Sequence, residues 1–554
     1  MALLERRIGL LFACFLGLLA LAAGRALWLG TVKGSSLATA ASSQQVSTMT
    51  VPARRGTLTD AHGVELAVSE PADDVSATPY LIKDPVRAAQ RLAPVLGRPV
   101  DQIAAELARK DTGFVYLARG LPASQGDRIS RLKIPGVALT PGYRRVYPRG
   151  VLASQVLGNV GTEGHGLSGL EYADDPLLRG RDGKRRVVRD ALGQPINIRD
   201  PVPARAGAHV ELTIDANIQD RVEQVLAGIG AKYRPKGATA FVMDPRTGAL
   251  LALANWPRVD ANAPLGAAPD YAHEDRAVGY TYEPGSTFKA FTVAGAVQDG
   301  TVTPTTRFYL PPQIQVADRT IHDAETRGPE TLSTAQILAF SSNVGAITIG
   351  EKEGRDRFDY WVRRFGFGKP TRVGLPGEER GIVPTVAQYS GSSMGNLPIG
   401  QGLAVTPMQM AQAYAAIANG GILRAPHIIR RIDGRPVPEP KGRRIISEET
   451  SHELRTMLEG VFAPGGTASE VSLPPYKLAG KTGTASKIDP TTGQYSQSRY
   501  IASFMGFAPA LHPKLLIGVM VDEPQGAIYG GVVAAPAFGD IASFALQYLR
   551  IPPR

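Results

Sequence analysis

The longest unbroken apolar pattern lies at the start of the chain. Residues Ile8 to Gly24 carry no charge and follow Arg6 and Arg7. Two readings fit this run. One is a cleaved signal peptide, with small residues around Ala22 to Ala26 as the cleavage region. The other, favoured here, is an uncleaved signal anchor over 8–29, with 1–7 as a cytoplasmic tail. Arg25 suits a cleavage site poorly. If it snorkels to the interface, Ala26 to Leu29 lengthen the helix to a span, and Trp28 falls where interfacial aromatics sit. No second apolar span follows. An anchor of this kind favours export of the remaining chain.

Beyond the anchor the pattern breaks into shorter elements. Residues 30–50 are rich in Ser, Thr, Ala and Gln and read as a linker. R-R-G-T-L-T-D-A-H-G, from Arg54 to Gly63, predicts a turn-rich strand pair. Asp84 to Arg109 has helical periodicity, broken by Pro94 and Pro99. Short strands and turns fill 110–206, giving an α+β module without obvious chemistry. Pro201, Pro203 and Gly207 cluster at a boundary, so the reading is one module over 30–206 and another over 207–554.

The second module has a different texture. H-V-E-L-T-I-D predicts a strand and Ala216 to Gly228 an amphipathic helix. Ala238 to Asp244 and Ala249 to Asn255 are apolar strands joined by P-R-T-G, a hairpin signal. Helices follow over 285–420, and Leu332 to Gly350 reads as an apolar helical stretch. Strands return at 478–486, 500–508 and 514–521, and a last helix at 536–549. The expected class is α/β with a mostly antiparallel sheet.

Composition narrows this picture. At 554 residues, 43% apolar and 20% charged, the chain is globular and holds two or three domains. The net charge of +11 admits nucleic acid, an anionic membrane or an anionic polymer as partner. No nucleic-acid motif supports the first. The densest basic run, Arg179 to Arg189, reads as a solvated hairpin or loop. The lone Cys14 excludes a disulfide framework and a cysteine-based metal site. Gly164, Gly166 and Gly169, with Asp190 beyond, imitate a dinucleotide fingerprint. Pro176 and Gly180 break the helix that such a turn must open, so nucleotide binding is rejected.

Three motifs carry the candidate chemistry. In Y-E-P-G-S-T-F-K, Pro284 and Gly285 turn into an apolar helix. Ser286 falls in its first turn, with Lys289 one turn on along the same face. A serine hydroxyl needs a neighbour to take its proton. A lysine with a depressed pKa can do so. Alone this is weak, since Ser130 and Lys133 show the same spacing. The second motif is S-S-N, Ser341 to Asn343, where Ser341 could relay protons and Asn343 hold a substrate amide. Taken alone it could equally be a helix–helix connection. The third is K-T-G-T-A on an edge strand. Lys481 adds charge there, Thr482 and Thr484 share a face, and Gly483 lets a ligand approach the backbone. Two hydroxyls suit a peptide carboxylate. No metal-binding motif is present.

Together and in this order, the motifs resemble those of class B penicillin-binding proteins, most closely the division-type septal transpeptidases. R-G-T-L-T-D-A-H-G around Arg55, Gly56, Asp60 and Gly63, and G-L-S-G-L-E ending at Glu171, look like the family's N-terminal motifs. Ile399 to Gln409, Ser503 to Ala510 and the stretch up to Phe538 also match. D-A-H-G departs from the family's usual Asp-Arg-Asn-Gly.

The resemblance implies a penicillin-binding-protein/β-lactamase-like transpeptidase domain. It has a five-stranded, mostly antiparallel sheet and a helical subdomain. An elongated α+β pedestal or dimerisation-type module and one membrane helix would precede it. It further implies an inner-membrane, single-pass protein with its bulk in the periplasm, cross-linking peptidoglycan stem peptides through Ser286. The N–H groups of Ser286 and Thr484 would form the oxyanion hole. β-Lactams would acylate the same serine. A membrane glycan polymerase and division-ring proteins are the implied partners, and no cofactor is implied. Elongation-type synthesis is the alternative, with β-lactam hydrolysis or sensing behind it. Whether Lys289, or Lys481 through Ser341, takes the proton stays open.

Overall fold

The structure, a computed structural model, describes residues 2–35, 46–189 and 195–553. The linker reading at 36–45 and Asp190 of the glycine-rich decoy lie outside these residues. Packing divides the chain into two compact units: Met1–Arg54 with Gly180–Gly207, and Arg55–Arg179 with Ala208–Arg554.

The first unit holds helix α1, Ala2–Thr31. Its stretch Arg6–Thr31 is long and apolar enough to cross a membrane, and it buries none of that window against protein. Arg25 and Lys33 lie over the Trp28 ring at 5.2 and 4.9 Å. The unit also holds a three-stranded antiparallel sheet. In it Gly183–Arg189 pairs with both Val46–Val51 and Pro195–Val202. The basic run therefore forms a hairpin, with Lys184 and Arg186 exposed and Arg185 paired to Asp200.

The second unit begins with a sheet centred on Glu65–Ala77, flanked by Val137–Val146 and Val115–Pro122. Helices Pro85–Leu96, Val100–Leu107 and Ala123–Leu132 cover it, over a core that includes Val75, Leu92, Ile103, Leu117 and Ile129. Pro94 sits inside the first helix near its end, and the break falls at Gly97, which is left-handed. The helix over 123–132 lies in a stretch expected to hold only short strands and turns. The sheet does not stop at the Pro-rich segment. Leu58–Thr59 pairs in parallel with Val210–Leu212, which pairs with Ile429–Ile432.

The N-terminal motif residues hold this region together by burying charge. The Arg55 guanidinium bonds Glu171 and Asp175, and Arg145 bonds the other Glu171 oxygen at 2.6 Å. Gly164 offers its carbonyl to Arg55, and a Cβ on Gly166 would lie 1.8 Å from Glu171 O. The imitation fingerprint is thus a loop wrapped around a buried ionic cluster. Asp60 accepts from the N–H of His62, Val64 and Ala216. His62, which with Ala61 departs from the family pattern, reaches Asp215 at 3.0 Å.

The C-terminal part is built on five antiparallel strands: β1 Gly237–Met243, β2 Leu250–Trp256, β3 Ala479–Ile488, β4 Tyr495–Ala508 and β5 Leu515–Asp522. Their spatial order is β2-β1-β5-β4-β3, which leaves β3 on an edge. Both faces are covered, so β1 is buried at every position. Ala240 and Val242 face a core with α2, Ala216–Tyr233, and the last helix, Ala535–Tyr548. Phe241 and Met243 face the helical block.

That block contains α3 Lys289–Gln298, α4 Thr334–Phe340, α5 Asn343–Glu353, α6 Arg355–Arg364 and α7 Pro407–Ala418. The apolar helical stretch from Leu332 is two helices, and S-S-N is the connection between them. Ser341 adopts φ +63°, a left-handed conformation that ends α4, and Ser342 caps α5 by accepting from Gly345 N.

Candidate active site

The serine sits on a turn that glycines make possible. Gly285–Phe288 is a single 3₁₀ turn running straight into α3. Ser286 therefore precedes the α-helix, and Lys289 is the helix's first residue. Gly285 has φ +55°, and a Cβ there would come 3.0 Å from Thr484 O on β3. Gly285 N donates to Gly400 O at 3.0 Å, and a Cβ on Gly400 would fall 2.2 Å from Gly285 O. Tyr414 Oη on α7 donates to Thr287 O at 2.6 Å. The turn is thus fixed from three sides. Ser286 itself stays half-exposed.

Lys289 is fully buried, yet its ammonium is well supplied with acceptors. Nζ donates to Ser341 O at 2.6 Å, Asn343 Oδ1 at 2.7 Å and Ser341 Oγ at 3.2 Å. The left-handed turn at Ser341 delivers both its carbonyl and its hydroxyl to the lysine. Burial pushes the Lys289 pKa down to about 7, and the Asp323 carboxylate opposes the shift. Near neutral pH the amine is therefore close to half deprotonated.

Lys481 is also fully buried and is poorly supplied. Among the described residues its Nζ reaches only Thr482 O at 3.2 Å and Thr482 Oγ1 at 3.3 Å. Burial, and then the charge of Lys289, push its pKa well below the ordinary lysine value. Lys289 has three acceptors, two of them close, and Lys481 only two long ones, so of the two charges repelling each other the proton on Lys481 is the less well held.

On edge strand β3 the side chains alternate. Thr482 Oγ1 shares a hydrogen bond with Thr467 Oγ1 at 2.6 Å, and Thr484 Oγ1 accepts from Gly530 N at 3.0 Å. A Cβ on Gly483 would lie 2.9 Å from Thr287 Cγ2 and 3.0 Å from Pro284 O. The space left free at Gly483 is filled by Ser503 of β4 and by the serine turn. The structure thus brings Ser286, Lys289, Ser341, Asn343 and Lys481 to one locus beside the edge of β3.

Sequence reasoning missed the groups that hold this locus. Asp323, nearly buried, accepts from the N–H of Asn343 and Val344 and from Ser342 Oγ, and it pairs with Arg327. It caps α5 and supplies the negative charge felt by Lys289. Glu283 accepts from Gly402 N at 3.0 Å and from Tyr495 Oη at 3.1 Å. It ties the serine turn to the glycine loop and to β4. Neither carboxylate lies in a periodic pattern, and no local signal marks them. Only the order Glu-Pro-Gly-Ser hinted at Glu283.

With this geometry established, comparison with known proteins is informative. The penicillin binding protein transpeptidase domain model matches residues 238–543, and the penicillin-binding protein dimerisation domain model matches 50–212. Penicillin-binding protein PbpB of Mycolicibacterium smegmatis is 34% identical, over 97% of this chain and 89% of its own length. Peptidoglycan D,D-transpeptidase FtsI of Escherichia coli is 34% identical, over 99% and 92%. The crystal structure of penicillin-binding protein 3 of Mycobacterium tuberculosis, complexed with aztreonam, superposes with a TM-score of 0.73. It is 31% identical and covers 91% of this chain and 98% of that one. The apolar α1 fits a membrane-anchored protein of this kind. With both domains in series and kinship along nearly its whole length, the chain belongs to the class B, division-type penicillin-binding proteins.

Proposed function

We propose that this protein is a serine-type peptidoglycan D,D-transpeptidase of septal wall synthesis and a target of β-lactams. The observation that carries the reading is Lys289: a buried amine poised near neutrality, one turn from Ser286, and held by both partners of the S-S-N turn. In the proposed cycle Ser286 Oγ attacks the penultimate D-Ala carbonyl of a stem peptide, and its proton passes to Lys289 Nζ. The N–H groups of Ser286 and Thr484 stabilise the oxyanion. The tetrahedral species collapses to an ester on Ser286, and the departing D-Ala nitrogen takes the proton. An amine of a second stem then attacks the ester and frees the serine.

The other residues take supporting roles. Ser341 passes protons between the two amines and the leaving group, and Asn343 orients the substrate amide. Thr482 and Thr484, backed by Lys481, bind the terminal carboxylate, and Gly483 lets that strand close on the serine turn. Lys289 is favoured over Lys481 as proton acceptor because Lys481 Nζ bonds Thr482 in the resting site, whereas Lys289 already touches Ser341.

For the whole chain the proposal is a cytoplasmic tail over 1–7, an inner-membrane anchor over 8–29 and a pedestal module over 30–206. The transpeptidase domain over 207–554 then lies in the periplasm. A membrane glycan polymerase and division-ring proteins are the proposed partners. Mass spectrometry after β-lactam exposure tests the chemistry. A single adduct on the Ser286 peptide, absent from Ser286→Ala, is expected, and an adduct on any other residue overturns the assignment.

A further inference from the structure

The two helices that begin with active-site side chains also end together. α3 starts at Lys289 and is capped at its C-terminus by Asp299. α5 starts at Asn343 and ends at Glu353. They pack against each other. At the far end, Asp299 accepts from Arg357 Nε at 2.7 Å, Arg357 Nη2 at 2.6 Å and Trp361 Nε1 at 2.9 Å, all from α6. Both carboxyl oxygens of Glu353 are shut off from solvent, and among the described residues the Thr301 hydroxyl is the neutral donor beside them. What faces them is the Asp299 carboxylate, with Thr301 and Arg357 alongside. Lys352, next along the helix, lies over the Phe308 ring at 5.7 Å.

Two carboxyl groups in contact disfavour double ionisation, the more so with both Glu353 oxygens shut off from solvent and the Asp299 side chain only 21% exposed, and one keeps a proton and donates it to the other. Asp299, with three donors on it, is the anion. We infer that Glu353 is a positioning residue for acylation of Ser286: protonated and donating to Asp299, it clasps the far ends of α3 and α5 and so holds Lys289 against Ser341 and Asn343. Short helices move as bodies, so a shift at one end displaces the other, and small misplacements of reacting groups cost rate steeply. Burial, reinforced by the Asp299 carboxylate, keeps the Glu353 proton on up to about 7, against the pull of the Thr301 hydroxyl and of Arg357. Burial opposes ionisation of Asp299, but hydrogen bonds from Arg357, Glu353 and Trp361 bring it down to about 2. Above neutrality the clasp becomes two anions facing one guanidinium. The inference rests on the Ser286 reading above.

The test is the pH profile of acylation by a fluorescent penicillin, on the full chain in detergent. The wild type should show an alkaline limb, falling up to about tenfold between pH 6 and pH 8 relative to Glu353→Gln, since the protonated fraction falls that far for a group near neutrality. Glu353→Gln keeps the donor at every pH and should lose the limb. Asp299→Asn supplies a donor from the other side and should lose it too. The wild-type melting temperature should also fall relative to Glu353→Gln over the same range. That readout needs no catalysis, so it tests the clasp even if no variant is labelled, an outcome that would sink the Ser286 reading instead. Superimposable wild-type and Glu353→Gln profiles, in rate and in melting temperature, overturn the inference.

Discussion

Which lysine takes the serine proton can be read from the pH dependence of acylation. Lys289 is held at about 7. Only the free amine accepts a proton, so the competent fraction grows as pH rises. For such a group that fraction is about one tenth at pH 6 and about nine tenths at pH 8, roughly a ninefold change centred near neutrality. Lys481 is held well below the ordinary lysine value by burial and by the charge of Lys289, and Asp323 does not act on it, so a route through it predicts an inflection that stays in place when Asp323 is replaced. Stopped-flow acylation by a fluorescent penicillin, in the Glu353→Gln background that removes the alkaline limb, separates the two. Replacing Asp323 by Asn removes the charge that opposes the shift, so the inflection should move to lower pH. Lys289→Arg stays protonated throughout and should acylate at least a hundredfold more slowly, the usual worth of a positioned general base. A flat profile from pH 6 to pH 8 in the Glu353→Gln protein, or an inflection that Asp323→Asn leaves in place, refutes Lys289 as the acceptor.

Three further outcomes follow from the packing. Gly400→Ala places a methyl 2.2 Å from Gly285 O at a residue with φ +78°. It should cost more than about 2 kcal/mol in thermal unfolding, and any folded fraction should label poorly with penicillin. Arg55→Ala leaves Glu171 and Asp175 short of a buried partner, and about 3–5 kcal/mol of stability should be lost while penicillin labelling of the folded fraction persists. Thr467→Val removes the hydroxyl bonded to Thr482, and apparent affinity for a carboxylate-bearing β-lactam should weaken about fivefold, the worth of one net hydrogen bond, with stability little changed.

How much of this was legible beforehand depends on the range of the interaction. The central strands were legible because hydrophobic runs and turn residues are local. The three motifs were legible because each is contiguous, and Ser286 with Lys289, or Thr482 with Thr484, needs only a helical turn or a strand to share a face. At the apolar stretch from Leu332 the sequence left a helix–helix connection as one of two readings, because the break depends on Ser341 taking a left-handed conformation, which nothing in its neighbours announces. That conformation is held from outside: Asp323, far upstream, caps α5 through Asn343 N, Val344 N and Ser342 Oγ. The same holds for Gly400 beneath Gly285 and for Glu353 against Asp299, which are close in space and distant in sequence. This divides the site in a chemically useful way. The groups proposed to react are written as short motifs, whereas those setting their charge and angle are scattered singly. Lys289 illustrates both: its spacing from Ser286 makes it a candidate, but burial, held back by the Asp323 charge, decides that its amine is close to half deprotonated near neutral pH. A second S-x-x-K at Ser130 has the spacing alone. There Lys133 is the left-handed cap of an exposed helix end, with nothing to strip its ammonium of water.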